Sequence, residues 1–358
     1  MENHVFIKNS IVEWFSDNKR SLPWRQDRDP YHVWISEIML QQTRVEAVVE
    51  YYNRFIKELP SVEFLAEADD DRLMKLWEGL GYYSRARNLK KAAIVITEKY
   101  GGIFPVTYPE ILSLPGVGLY TAGAIASICY DQPTPAVDGN VLRVYSRLFC
   151  YPDSIDRQSV KNEISRDLEA LYSDGDCAEI TQGLMELGAC VCLPNAVPKC
   201  GTCPVYSVCQ AGQAGSWADY PVRAQKKPRK EVDRIIFLLC SNDRFAIRKR
   251  PAKGLLAGLW EFPGIEIDDP KKGCSLTQEE MIVLADRTAA KLCKLKNRNG
   301  RIAGTYTHIF THVQWNMIAF IYQAAEQTDG FSWVSTQEMI SDYALPSAFR
   351  PFIGMCHQ

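Results

Sequence analysis

Up to about residue 210 the apolar positions recur every three to four residues, the spacing that lines one face of an α-helix. That spacing predicts helices over 30–43, 45–57, 71–78, 86–100, 109–114, 120–129, 140–149 and 158–172, with almost no strand signal between them. The segment Tyr220-Pro-Val-Arg-Ala-Gln-Lys-Lys-Pro-Arg-Lys230 then breaks the pattern with two prolines and a run of base, and reads as a linker. Beyond it the texture changes. The runs 234–240, 244–248, 305–310 and 316–322 are short and β-rich, with helical character over 279–295. The expected fold is therefore multidomain: an all-α region followed by an α+β domain.

A chain of 358 residues, 46% of them hydrophobic, can supply two or three domains with separate cores. The stretch Met1-Glu-Asn-His-Val-Phe-Ile-Lys8 lacks the unbroken apolar segment of a signal peptide, and no window reaches membrane-spanning length. A cytoplasmic protein with no membrane partner is expected. The net charge of −2 excludes a uniformly basic nucleic-acid binder, so a DNA face must be a local patch. One such patch is Arg85, Arg87, Lys90 and Lys91; a second, Arg223, Lys226, Lys227, Arg229 and Lys230, reads equally well as a solvated linker.

Twelve cysteines without a secretory signal point to reduced thiols or a metal site, not to a disulfide framework. Cys192, Cys200, Cys203 and Cys209 are spaced C-x7-C-x2-C-x5-C in a loop compacted by Pro194, Pro198, Gly201 and Pro204. By spacing alone both zinc and an iron–sulfur cluster suit such thiolates. Cys190 is a neighbouring alternative ligand, and Cys129, Cys150, Cys177, Cys240, Cys274, Cys293 and Cys356 are scattered as small buried hydrophobes.

The string Leu114-Pro-Gly-Val-Gly-Leu-Tyr-Thr-Ala-Gly-Ala-Ile125, followed by Val137-Asp-Gly-Asn140, is the most specific motif. Gly116 and Gly118 are read as freeing the chain for left-handed dihedrals, and the helix after them points its first N–H groups at an anion such as a DNA phosphate. A bare GxG fits an ordinary turn between helices equally well. The longer string resembles the helix-hairpin-helix base-excision glycosylases, the superfamily of endonuclease III. Within it, the bifunctional lyases carry a lysine nucleophile where this chain has Tyr120, and a phenol cannot form a Schiff base with an abasic sugar. The resemblance is thus to the monofunctional branch, the MutY family of adenine DNA glycosylases, and it runs from Ser21-Leu-Pro-Trp-Arg25 to the C-terminal domain.

The resemblance implies a helical glycosylase region over 1–217: a six-helix barrel with the hairpin over roughly 30–135, and an iron–sulfur cluster domain built from 1–29 and 136–217. A basic linker over 218–231 and a Nudix-like domain over 232–358 follow, the latter most visible in 250–264. No catalytic Nudix glutamate array occurs from Ile265 to Asp286, so that domain is expected to bind and not to hydrolyse. The implied cofactor is a [4Fe–4S] cluster on Cys192, Cys200, Cys203 and Cys209, although the family's first spacing is commonly x6 and this loop holds one residue more.

Releasing a base from deoxyribose needs an acid for the leaving purine and an anion for the oxocarbenium-like sugar, the two-carboxylate logic of glycosidases. Glu37, in the apolar helical turn Val33-Trp-Ile-Ser-Glu-Ile-Met-Leu40, is the candidate acid because desolvation raises a carboxyl pKa. Asp138, ahead of a helix, is expected to stay ionised. The resemblance adds Tyr120 and Asn140 as supports of sugar and water, and Arg25, Leu40, Gln182 and Glu186 as the lining or border of an adenine pocket. It makes Gln42 and Tyr82 the fillers of the gap left by a flipped nucleotide, with Arg85, Arg87, Gly116 and Gly118 on the backbone. For the base opposite the adenine the family uses a Phe-Ser-His loop; here it reads Phe310-Thr311-His312. The expected partner is double-stranded DNA with adenine opposite 8-oxoguanine or guanine, bound by a monomer. The rivals are an endonuclease III-like glycosylase/lyase, which needs a lysine at 120, and a silent DNA-binding module, which would lack one of the carboxylates.

Overall fold

The computed structural model describes residues 2–173, 175–225, 228–267, 277–297 and 299–356. Lys226 and Lys227 of the basic patch, Cys274, and part of the 265–286 stretch lie outside them. The chain divides into two compact units, one of Met1–Ala68 with Arg87–Gln225 and one of Asp69–Ala86 with Lys226–Gln358. Residues 69–86, part of the helical run in sequence, therefore pack with the C-terminal domain.

In the first unit α1 (Glu2–Asn18), α2 (Pro30–Leu40), α3 (Val45–Glu58) and α4 (Val62–Glu67) precede the division. Then α5 (Asp70–Leu76) belongs to the second unit, and α6 (Ser84–Tyr100) returns the chain to the first. There α7 (Tyr108–Leu112), α8 (Leu119–Tyr130), α9 (Gly139–Leu148), α10 (Gln158–Leu168), α11 (Cys177–Cys190) and the short α12 (Gln210–Gln213) follow. Starts are set by local chemistry: Asp29 caps α2 with Pro30 in its first turn, Asp138 caps α9, and Thr107 with Glu110 forms a capping box on α7. Helix α8, buried from Thr121 to Ile128, packs on α2, α7 and α11. A second core gathers α1, α9, α10 and α11 around Ile7, Ile11, Val144, Ile164 and Leu187.

In this unit α1, α4, α11 and the one-turn α12 were not predicted. In α1 the buried stripe Ile7, Ile11, Phe15 is blurred by exposed Val5 and Phe6, and α4 is too short to carry a period. In α11 a Cβ at Gly183 would lie 2.6 Å from Ile11 Cγ2: α11 bears glycine there because α1 crosses it closely. Helix α2 stops at Leu40, short of the expected 43, and Gln42 follows at φ +62°.

The second unit holds β1 (Lys230–Ser241), β2 (Arg244–Lys249), β3 (Trp260–Glu261), β4 (Gly264–Glu266), α13 (Gln278–Leu292), β5 (Arg301–Ile309), β6 (Val313–Gln323), β7 (Ser332–Val334), α14 (Thr336–Ser341) and α15 (Arg350–Met355). The sheet runs β3-β2-β1-β6-β5, with β4 on β1 and β7 on β2. Strands β1 and β6 are parallel, Ile235 facing Ile318, and the remaining pairs are antiparallel. Ile236, Leu238 and Cys240 share one core with Phe352 and Ile353 of α15, while Ile235, Phe237 and Leu239 meet Ala285 and Ala289 of α13. Helices on both faces explain why β1 is a continuous apolar run without alternation. Polar contacts tie residues 69–86 to this domain: Lys249 Nζ lies 2.7 Å from Asp71 Oδ1, Arg350 Nη2 3.5 Å from Glu78 Oε1, and Lys75 Nζ donates to the carbonyls of Ile340 and Tyr343. Among the described residues no helix is long and apolar enough to cross a membrane.

Candidate active site

Helix α2 carries Glu37, the first turn of α8 carries Tyr120, the start of α9 brings Asp138 and Asn140, and α11 contributes Gln182 and Glu186. These residues, with Arg25, Leu40 and Gln42, line one cleft of about 970 Å³ within the first unit. Glu37 is 6% exposed. Burial pushes its carboxyl up to about 7, aided by the charge of Asp138 and opposed by a hydrogen bond that Tyr120 Oη donates to Glu37 Oε2. Tyr120 is itself driven well above the ordinary phenol range by burial and by both carboxylates, so it stays a donor.

Asp138 accepts from the backbone N–H groups of Asn140 (2.9 Å) and Val141 (2.8 Å) and from Asn140 Nδ2 (2.7 Å). Desolvation outweighs them and moves its carboxyl upward, with Arg143 and the N–H donors pulling the other way.

Glu186, expected to line or border the base pocket, stands in the wall of the cleft with both of its oxygens engaged by arginines: Arg20 Nε at 2.6 Å, Arg20 Nη2 at 3.0 Å and Arg25 Nη2 at 2.8 Å. Burial alone would raise Glu186; the hydrogen bonds from Arg20 and Arg25 win and bring it to about 2. Arg25 is thus fixed at the cleft wall, and Arg20, which sequence reasoning missed, completes the clasp. Its partner lies 166 residues away, a pairing no local pattern announces.

Arg143, also missed, donates from Nε to the Cys192 carbonyl (2.7 Å) and from Nη2 to Asn140 Oδ1 and the Gly188 carbonyl (both 2.8 Å). It joins the start of α9 to the cysteine loop. A Cβ at Gly188 would sit 2.5 Å from Asn140 Cβ, so glycine lets α11 approach this corner. Arg147 Nη1 donates to Cys192 Sγ at 3.3 Å. Cys192, Cys203 and Cys209 pack on the core of α9 and α11. Burial pushes the Cys203 thiol up to about 12. Cys190 packs on the same core, and its Sγ donates to Glu186 Oε1 at 3.7 Å. Among the described residues no three Cys, His, Asp or Glu side chains are close enough to grip a single metal ion.

Gly116 has φ +77°, and a Cβ there would lie 2.5 Å from Asn88 Cβ, so turn and packing both demand glycine. Gly118 does not follow the expectation: with φ −100° and ψ 177° it is extended, not left-handed, and it is the N-cap of α8. No side chain caps that helix, which leaves its first-turn N–H groups unclaimed by any capping oxygen.

In the second unit Tyr82 is 44% exposed at φ +45°, its hydroxyl paired with Thr311 Oγ1. Arg85, expected on a phosphate, is buried instead: Nη2 donates to the carbonyls of Leu80 (2.9 Å) and Gly81 (3.2 Å), and the guanidinium lies against Trp77 and Tyr82. It braces the turn that presents Tyr82. Arg87 is half-buried in the first turn of α6. Phe310, Thr311 and His312 form the tight turn between β5 and β6, with Thr311 and His312 exposed.

The HhH-GPD superfamily base excision DNA repair protein family matches residues 35–170, and the NUDIX domain family matches residues 235–355. An adenine DNA glycosylase of Arabidopsis thaliana is 35% identical, over 86% of this chain and 55% of its own length; one of Mus musculus is 32% identical, over 97% of this chain and 78% of its own. The solved structure of a thermostable thymine-DNA glycosylase superposes with a TM-score of 0.53 at 28% identity, covering 60% of this chain and 98% of that one. The helical unit, the Nudix domain and these relatives agree: the chain belongs to the adenine DNA glycosylases, a family of DNA N-glycosylases of base-excision repair.

Proposed function

We propose that the cleft excises adenine flipped out of duplex DNA from opposite 8-oxoguanine or guanine. The observation that carries this reading is the pairing of Glu37, with a carboxyl at about 7, with Tyr120 and Asp138 in one water-accessible cleft. Glu37 protonates the leaving purine, and Asp138 supplies negative charge to the sugar as it becomes cationic. Tyr120 orients the Glu37 carboxyl, Asn140 holds Asp138 and the attacking water, and Arg25, Leu40 and Gln182 border the base. Glu186 borders the base too, and its clasp holds Arg25 there. A phenol in place of an amine at 120 makes the reaction hydrolytic, without a covalent adduct to the sugar.

Gln42 and Tyr82 fill the emptied stack, and the hairpin at Gly116 and Gly118 holds a phosphate with the first turn of α8. Opposite the adenine, the turn Phe310-Thr311-His312 meets 8-oxoguanine, with threonine offering the hydroxyl of the family's serine. Cys192, Cys200, Cys203 and Cys209, four soft thiol donors in one loop, would hold a [4Fe–4S] cluster, which would pin that loop beside α9 when bound. The protein acts as a monomer in the nucleoid-bearing cytoplasm; size exclusion with and without DNA tests the former.

The decisive assay incubates the enzyme with duplexes containing adenine opposite 8-oxoguanine, adenine opposite guanine, and thymine glycol, then treats with alkali. Strand breaks at adenine in the first two alone are expected. Cleavage at thymine glycol, or an adduct trapped by borohydride, would overturn the reading in favour of a glycosylase/lyase.

A further inference from the structure

The turn between β5 and β6 is backed by a stack of side chains from distant parts of the C-terminal domain. Phe310 meets Trp315 edge-on, ring centroids 4.9 Å apart, and His308 at 4.5 Å. Trp315 is buried, and the guanidinium of Arg234 lies over its ring at 4.0 Å, with that of Arg250 at 5.5 Å. The buried Glu261 gathers Arg234 (3.8 Å), Arg248 (3.1 Å) and Arg250. The backbone is fixed separately, by Phe310 N donating to the Val313 carbonyl and Lys230 N to the His312 carbonyl.

Arg234 is 4% exposed, yet its Nε and Nη1 have no hydrogen-bond partner. A long ion pair is a weak return for a buried cation with orphan donors, and an apolar side chain would fill the space at lower cost. What an apolar side chain would not supply is a charged plate that holds the indole in one plane through cation–π attraction. The indole in turn sets the edge against which Phe310 rests.

We infer that Arg234 and Trp315 are positioning residues for opposite-base specificity, the stack Arg234–Trp315–Phe310 presenting the Phe310 ring to 8-oxoguanine. This rests on the reading of Phe310-Thr311-His312 as the lesion contact. Loss of the stack leaves the turn in place but frees the ring, so ordering it must be done at the expense of binding.

The test measures single-turnover rates and affinities of the full-length protein on duplexes with adenine opposite 8-oxoguanine and opposite guanine. Trp315→Leu and Arg234→Leu are expected to reduce the preference for 8-oxoguanine by about tenfold, the size of one aromatic or cation–π contact. Trp315→Phe should restore most of it. If Trp315→Leu does not fold, Arg234→Leu decides. Phe310→Ala is the control: if it leaves the preference intact, the turn is not the lesion reader and both readings fall. If Phe310→Ala collapses the preference while Arg234→Leu keeps it, or if Trp315→Phe loses as much as Trp315→Leu, the stack is overturned alone.

Discussion

At the scale of single residues, the cleft depends on where charge is desolvated. Glu37→Gln keeps shape and removes the proposed acid, so adenine release should fall by roughly 10²–10⁴-fold while duplex binding persists, read by single-turnover excision beside a gel-shift titration. Excision by the wild type should decline as pH rises through about 7, when the Glu37 carboxyl loses its proton. Tyr120→Phe removes a donor that favours the carboxylate, so the same inflection should move to higher pH. The linkage to stability has the matching sign. A carboxyl raised from 4.5 to about 7 contributes stability in full below about 4.5, and that stability is lost as pH rises through about 7. Melting curves at pH 5 and pH 8 should therefore differ less in Glu37→Gln than in wild type. The apolar turn around Glu37 made its raised pKa legible in the sequence. The Glu186 clasp was not legible, because Arg20 and Arg25 reach α11 only after the chain has folded.

At the scale of elements, the ends and turns carry the function. Gln42 and Tyr82, the proposed stack fillers, are both non-glycine residues at positive φ, a conformation worth on the order of 1–3 kcal/mol of strain each that surrounding structure must hold. For Tyr82 the holder is Arg85, which is why that arginine is buried. Gly116→Ala faces both an unfavourable φ and Asn88, so it should lower the melting temperature and weaken DNA binding together. The cysteine loop offers a contrast between neighbours. Cys200→Ser should give a colourless protein short of about four irons per chain, whereas Cys190→Ser, whose sulfur faces Glu186, should stay brown; iron analysis and visible absorbance check both. A zinc-replete, colourless wild type would remove the cluster from the picture.

At the scale of the whole molecule, the two units keep separate cores, one around α1, α9, α10 and α11, the other on the two faces of the β1–β6 sheet. Stripping iron with a chelator should therefore raise hydrogen exchange in the cysteine loop and at the start of α9, which Arg143 connects, and leave β1 and β6 protected. The motif around Gly116, Tyr120 at the branch point, the spaced cysteines and the change of texture after residue 220 were determined by sequence alone, because each is written in residues close together along the chain. The register that faces Ile235 with Ile318, the assignment of residues 69–86 to the C-terminal unit, the two arginines on Glu186 and the plate of Arg234 on Trp315 were decided only by the tertiary structure. These are contacts between positions far apart in sequence. Their energies come from desolvation and packing that do not exist until the elements meet, and no local propensity encodes them.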